Sequence, residues 1–294
     1  MRRSLWTAIA LALVAALLAA PAAHAAKPKR IVALTPFSAN VLVKLGVKPV
    51  AVGVTPGNAK YHRRLRSVRR LALSHATNGP NPEELVTLRP DLLISDRPWR
   101  AGHPAIKRMG IKVRIFDPMR VGAVPRAVKR IGKAVGRAKR ARKLARKMKK
   151  QIRRARKGIR SRPRVLMVLG VGQTPYAFLN DSWGGSLVTA AGGRLLTAGL
   201  SREGRDNLLV AGGFANLSEE WILEQNPDVV IGVPHGRADD RERAAEALRT
   251  HPILRLTNAG ENGRIYVTAR NTLLQPGTDI AQTIRFVRKR FLRN

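Results

Sequence analysis

The chain has 294 residues, with 56 Lys and Arg against 18 Asp and Glu, a formal net charge of +38, and no cysteine. Disulfides, thiol catalysis, thiolate metal sites and tethering through a lipid-modified cysteine are thereby excluded. A charge this large bears on solubility, steering and nonspecific partners rather than on fold. Residues 1–26, MRRSLWTAIALALVAALLAAPAAHAA, place Arg2 and Arg3 before an Ala/Leu-rich run that ends at Pro21 and Ala23-His24-Ala25. That order predicts a cleaved secretory signal and a periplasmic or otherwise extracytoplasmic location, by general or twin-arginine export. Its loss leaves 54 basic and 18 acidic side chains, a net of +36. No other apolar stretch approaches the ~18 residues needed to cross a bilayer.

The first lobe is predicted over 27–124. Arg30–Leu34 reads as a strand stopped by Thr35-Pro36, Ser38–Leu45 as a helix closed at Gly46, and Lys48–Val54 as a second strand. A basic segment marked by Pro and Gly follows. Asn81 then caps a helix with Pro82 at its first position, Pro90-Asp91 stops it, and Leu92–Ser95 is a strand. Ala105–Met109 leads through Gly110 to the strand Lys112–Phe116.

Residues 125–160 read as a bridge. Val128, Ile131, Val135, Ala138, Ala141, Ala145, Met148, Ile152, Ala155 and Ile159 recur three or four apart, which predicts one apolar stripe on one continuous helix. Such a rod would run on the order of 50 Å and lie across two lobes. From Arg126 to Arg162 there are nineteen Lys and Arg and no acid. The outward face is therefore solvated, or drawn to anionic lipid or wall polymers. Nucleic acid is a poor partner for an exported chain, and no aromatics are interleaved for base stacking.

A second lobe is predicted over 161–294. Arg164–Leu169 is a strand, Gly184–Ala191 a helix closed by Gly192-Gly193, Arg264–Thr268 the last strand and Thr278–Phe291 the closing helix. Within it, LSEEWILEQNPDVVI echoes NPEELVTLRPDLLI of the first lobe. Aligned at Pro90 and Pro227, the two copies match Glu83 with Glu220 and the cap residues Asn81 with Ser218. Strands alternating with helices imply two α/β lobes with parallel-type sheets.

RIVALTPFSANVLVKLGVKPVAVG, NPEELVTLRPDLLIS, WGGSLVTAAGG, LSEEWILEQNPDVVI and ENGRIYVTAR, in this order and around the basic bridge, resemble the class III periplasmic (substrate-binding) proteins of ABC importers that take up iron-siderophores, haem or cobalamin. The resemblance implies two Rossmann-like lobes joined by one long rigid helix, a ligand cleft between them, limited closure, and a monomer that delivers a small-molecule chelate to a membrane permease. It also implies that one surface glutamate per lobe docks on the permease, at Glu83 and Glu220. Many relatives have an acidic residue where this chain has Asn40. Two features would carry an importer role: an unbroken bridging helix, and those two acids exposed.

Ligands of open α/β sheets bind beyond the carboxyl ends of the strands. The loops there offer Phe37, Ser38, Arg97 and Trp99 in the first lobe, and Tyr176, Phe178, Trp183, His235, Arg237, Arg270 and Asn271 in the second. Aromatic walls suit a large, flat chelate, and the arginines would pair its anionic oxygens. A bare metal site is not expected, because no two of the six histidines stand at His-x-His or His-x-x-x-His spacing. An axial haem ligand would come from His235, Tyr176, Tyr61 or His62; a preformed chelate needs no protein ligand and no cofactor. Ser186 lacks a nucleophile elbow and no Gly-rich loop has phosphate-binding spacing, so no enzyme is expected.

Overall fold

The computed structural model describes residues 27–54, 61–74, 76–159, 162–171, 174–200, 213–235, 238–268 and 270–293. The predicted signal lies outside them. Chain order in the first lobe is β1 (Ile31–Ala33), α1 (Pro36–Lys44), β2 (Ala51–Val54), β3 (Arg69–Ser74), β4 (Gly79–Pro80), α2 (Pro82–Leu88), β5 (Leu92–Ser95), α3 (His103–Arg108) and β6 (Lys112–Ile115). The sheet runs β4-β3-β2-β1-β5-β6, parallel throughout except for the β3–β4 pair. Central β1 is wholly buried, with Val32 registered between Ala51 and Leu93, as befits a strand covered on both faces. Thr35 starts α1 by accepting the Ser38 N–H at 3.1 Å, and Pro36 occupies the first turn, where its missing donor costs nothing. Strand β3 falls in the segment the sequence reading left as a basic connector. Its Leu71 and Leu73 point inward while Arg69, Arg70 and Ser74 face solvent, the alternation of a half-exposed strand.

The expected single rod is two helices, α4 (Val124–Ala134) and α5 (Ala138–Ala155). Gly136 adopts φ 67°, the Arg137 N–H returns to Gly132 O at 2.7 Å, and the Gly136 N–H reaches Lys133 O at 3.4 Å. These are the two bonds of a Schellman turn, which ends a helix on a left-handed glycine. The predicted stripe survives the break: Val128, Ile131, Val135, Ala141, Ala145, Met148, Ile152 and Ala155 are all buried. The two helices pack closely, for a Cβ on Gly132 would lie 2.1 Å from that of Ala141. At 18 residues, α5 is about 27 Å long, roughly half the predicted rod.

The second lobe continues with β7 (Arg164–Val171), β8 (Thr174–Phe178), α6 (Trp183–Ala191), β9 (Arg194–Leu195), β10 (Phe214–Asn216), α7 (Glu219–Gln225), β11 (Val229–His235), α8 (Ala238–Thr250), β12 (Ile265–Val267) and the closing α9 (Ile280–Val287). Its sheet order is β10-β8-β7-β11-β12, with β9 beside β7. β7, β9, β11 and β12 pair in parallel, while β8 runs antiparallel to both of its neighbours, β7 and β10. Helix α4 lies against α1 and α5 against α9, so each lobe holds one arm of the bridge. Arg288, just past α9, caps the far end of α5 by donating to Ala155 O and, at 2.9 Å, to Lys157 O.

The repeated units are duplicates in structure as well. Asn81 and Ser218 cap α2 and α7, and Leu85 and Ile222 are buried at matching positions. Arg89 and Asn226 both end their helices left-handed, at φ 43° and 36°. The following aspartate then ties the unit to the strand beside it. Asp91 accepts from the Lys29 and Arg30 N–H groups at 2.6 and 3.1 Å, and Asp228 accepts from the Arg164 N–H at 2.8 Å. Arg30 and Arg164 also donate to the last helical turns, at Leu88 O and Gln225 O.

Candidate functional site

The carboxyl ends of β1, β5 and β6 face those of β7 and β11, with Phe178 of β8 beside them, across a cavity of about 220 Å³. From the first lobe come Thr35, Phe37, Asp96, Phe116 and Asp117. The second lobe supplies Leu169, Phe178, Trp183, Phe214 and His235, and the Leu274–Pro276 segment closes one side. Phe178 and Phe214 meet edge-to-face, centroids 4.7 Å apart, and the Trp183 indole donates to Thr272 O at 2.9 Å. These rings are held rather than free, which gives the cavity fixed aromatic walls. A second hollow shares Gln275 and Pro276 with the first and is lined by Asn40, Lys44, Tyr61, His62, Arg63 and Asp279. Across it Lys44 of α1 pairs with Asp279 at 3.1 Å, an ion pair from lobe to lobe.

The floor of the main cavity is acidic. Asp96 and Asp117 each follow a strand, β5 and β6, and the Arg97 N–H donates to Asp117 Oδ2 at 3.5 Å. Asp96 is half-buried as a residue, but its Oδ1 is shut off from solvent and has no hydrogen-bond partner. Burial, with the nearby Asp117 charge added, pushes the Asp96 carboxyl up to about 7. Burial raises Asp117 as well, against the opposing pull of Arg97. Among the described residues that line this cavity, none is Lys or Arg.

Of the residues named from sequence, Phe37, Phe178, Trp183 and His235 come together on this cavity. Ser38 is buried in α1, bonded to Thr35. Trp99 is 5 % exposed inside the outer core of the first lobe, away from the cavity. Tyr176 packs on the main core from β8. Arg97 is exposed and contributes its backbone N–H rather than its guanidinium. Arg270 is exposed and stacks on Phe286 at 4.0 Å, and neither arginine lines the cavity, where both were expected. Arg237 and the side chain of Asn271 lie outside the described residues. Tyr61 and His62 line the adjoining hollow; Tyr61 donates to Gly53 O, and burial lifts its hydroxyl to about 12. Asn40, the position of departure, accepts the His62 N–H at 2.7 Å. Ser186 accepts from the Val121 N–H at 3.0 Å, a structural bond. Asp96 and Asp117 were missed, although SDRP and FDP repeat one signal, an aspartate just past a strand and before a proline.

Glu83 and Glu220 stand exposed in the first turns of α2 and α7. Their neighbours differ: Glu84 pairs with Arg69 at 3.1 Å, while Glu219 is exposed. One turn after each predicted docking glutamate sits an exposed aliphatic, Val86 at 60 % and Leu223 at 43 %. Among the described residues the only other large exposed hydrophobic is Leu256.

The fold is thus two α/β lobes with a cavity at facing strand ends, and among the described residues no helix is long and apolar enough to cross a membrane. The family model described as periplasmic binding protein matches residues 31–272, taking in both lobes and the bridge. The chain belongs to that family. It is 26 % identical over 267 residues to a cobalamin-binding protein of Halobacterium salinarum, covering 87 % of this chain and 67 % of that one. An ABC transporter substrate-binding protein from Listeria monocytogenes superposes with a TM-score of 0.74 at 20 % identity, covering 92 % of this chain and all of the other. IsdE of S. aureus, solved with haem, gives a TM-score of 0.73 at 20 % identity over 90 % of this chain and 99 % of its own. The broken bridge therefore does not count against membership. The rival role for the basic helix, gripping anionic polymers, finds no support in these relatives.

Proposed function

We propose that this chain is the exported solute-binding component of an ABC importer, which captures a metal chelate and hands it to a membrane permease without performing chemistry. Iron-siderophores, haem and cobalamin are the candidate chelates. The observation that carries this reading is the aromatic-walled cavity between the carboxyl ends of strands from two lobes, the place where open α/β folds hold ligands. At about 220 Å³ the cavity is smaller than the ~300–1,000 Å³ of typical ligand pockets, so the lobes part to admit a macrocycle. The chain works as a monomer outside the cytoplasm, released from a signal at residues 1–26.

Docking runs through Glu83 and Glu220, each paired with an arginine of the permease. Duplicated placement supports this: two carboxylates at equivalent positions on a strongly basic protein fix orientation through charge-assisted bonds. Val86 and Leu223 give each contact an apolar patch that excludes water around the ion pair.

Tryptophan fluorescence against a panel of ferric siderophores, haem and cobalamin tests capture, with Trp183 as the reporter in the cavity. A micromolar or tighter response that persists in about 0.5 M salt is expected; loss in salt would indicate surface binding to charge instead. Docking is tested by Glu83→Arg with Glu220→Arg, which should keep ligand affinity and abolish transport. Reduced ligand affinity in that variant would remove both residues from the docking role.

A further inference from the structure

The +38 chain keeps its positive charge out of the described part of its main cavity and puts two carboxylates there instead. Asp96 leaves a solvent-inaccessible oxygen without a partner, an arrangement that costs free energy unless something in the cavity supplies a donor. Asp117 stands at the end of the neighbouring strand, on the same wall, and accepts the Arg97 N–H at a long 3.5 Å. Opposite them are Phe178, Trp183 and His235. Thus the wall offers acceptors in a greasy, ring-lined space, and a ligand carboxylate brought there would meet like charge in poor solvent. The basic groups Lys44 and Arg63 belong to the adjoining hollow, where Lys44 is already engaged by Asp279.

We propose that Asp96 and Asp117 form a donor-reading subsite: they accept hydrogen bonds from amide N–H groups, or face a cationic centre, on the rim of the bound chelate. The chain then selects chelates rimmed by neutral amides or positive charge over chelates rimmed by carboxylates. This rests on the chelate reading above and narrows it.

The test is titration calorimetry on the mature chain at pH 8, where Asp96 is charged, with cyanocobalamin, whose rim carries primary amides, and haemin, which carries two carboxylates. Cyanocobalamin should bind at least tenfold tighter. Asp96→Asn with Asp117→Asn, which keeps shape and removes charge, should weaken cyanocobalamin about tenfold and bring the two ligands within threefold of each other. Asp96→Leu, checked for folding by its melting curve, should weaken cyanocobalamin while leaving haemin unchanged or tighter.

If haemin binds as tightly as cyanocobalamin, or the double variant holds cyanocobalamin within twofold of the native value, the subsite is overturned while chelate capture stands. If neither of these two binds, an iron-siderophore is left as the cargo, and spermidine against citrate decides the subsite. Binding of spermidine, lost in the double variant, supports it; binding of citrate alone, or of neither, overturns it.

Discussion

The bridge and the cleft floor treat charge in opposite ways. On α5 ten Lys and Arg side chains crowd 18 residues, all exposed to solvent. In the cleft just two carboxylates stand together, and both are pushed upward. Water screens the many and is withheld from the few. A net charge of +38 therefore says nothing about the sign of the site, and local desolvation decides what a charge is worth.

That contrast can be attacked from its strong side first. Asp96→Asn should stabilise the protein, by at most on the order of 4 kcal/mol at pH 8, roughly three units at 1.36 kcal/mol each. The sign follows from a raised folded pKa. Below about pH 4 both states are protonated and nothing is lost; between about 4 and 7 the unfolded chain ionises first, and the native state loses stability as pH rises. Urea unfolding at pH 5 and pH 8 should show the gap between variant and native chain widening with pH. An equal gap at both would end the claim that Asp96 is desolvated.

On the bridge, packing and backbone geometry should outweigh charge. Gly132→Val pushes a side chain into Ala141 and should cost about 2–3 kcal/mol, read from the thermal midpoint, with Ala141→Gly restoring part of it. Gly136→Ala places a Cβ at φ 67° and should cost about 1–2 kcal/mol by urea unfolding. Lys143→Glu converts four repulsive pairs, with Lys139, Arg140, Arg146 and Lys147, into attractive ones. It should gain only ~0.5 kcal/mol, vanishing in about 0.5 M salt. A larger gain would show that the basic face stores real strain.

Local chemistry was legible and long-range consequence was not. The duplicated unit could be read letter by letter because its caps, its prolines and its aspartate act within a dozen residues. The break at Gly136 was hidden by its own design. A Schellman turn lets the apolar stripe continue inward through Val135 and Ala141, so the period looks unbroken while the axis turns. Strand β3 was passed over because Arg69 and Arg70 masked the alternation that Leu71 and Leu73 complete. Asp96 and Asp117 looked like ordinary turn residues, since the cavity they line is completed by Leu169, Trp183 and Pro276, many residues away in the other lobe. Arginines were expected in the cleft because they follow strands and suit an anionic ligand; Arg270 instead stacks on Phe286.

The Gly132–Ala141 crossing has a mechanical consequence. One arm of the bridge is seated on the first lobe and the other on the second, so the bridge is shaped like a pair of scissors with its rivet where a methyl group is missing. Were the lobes to part as proposed, rotation about that rivet would absorb the opening, and a bulkier residue there would jam the tool as well as weaken it.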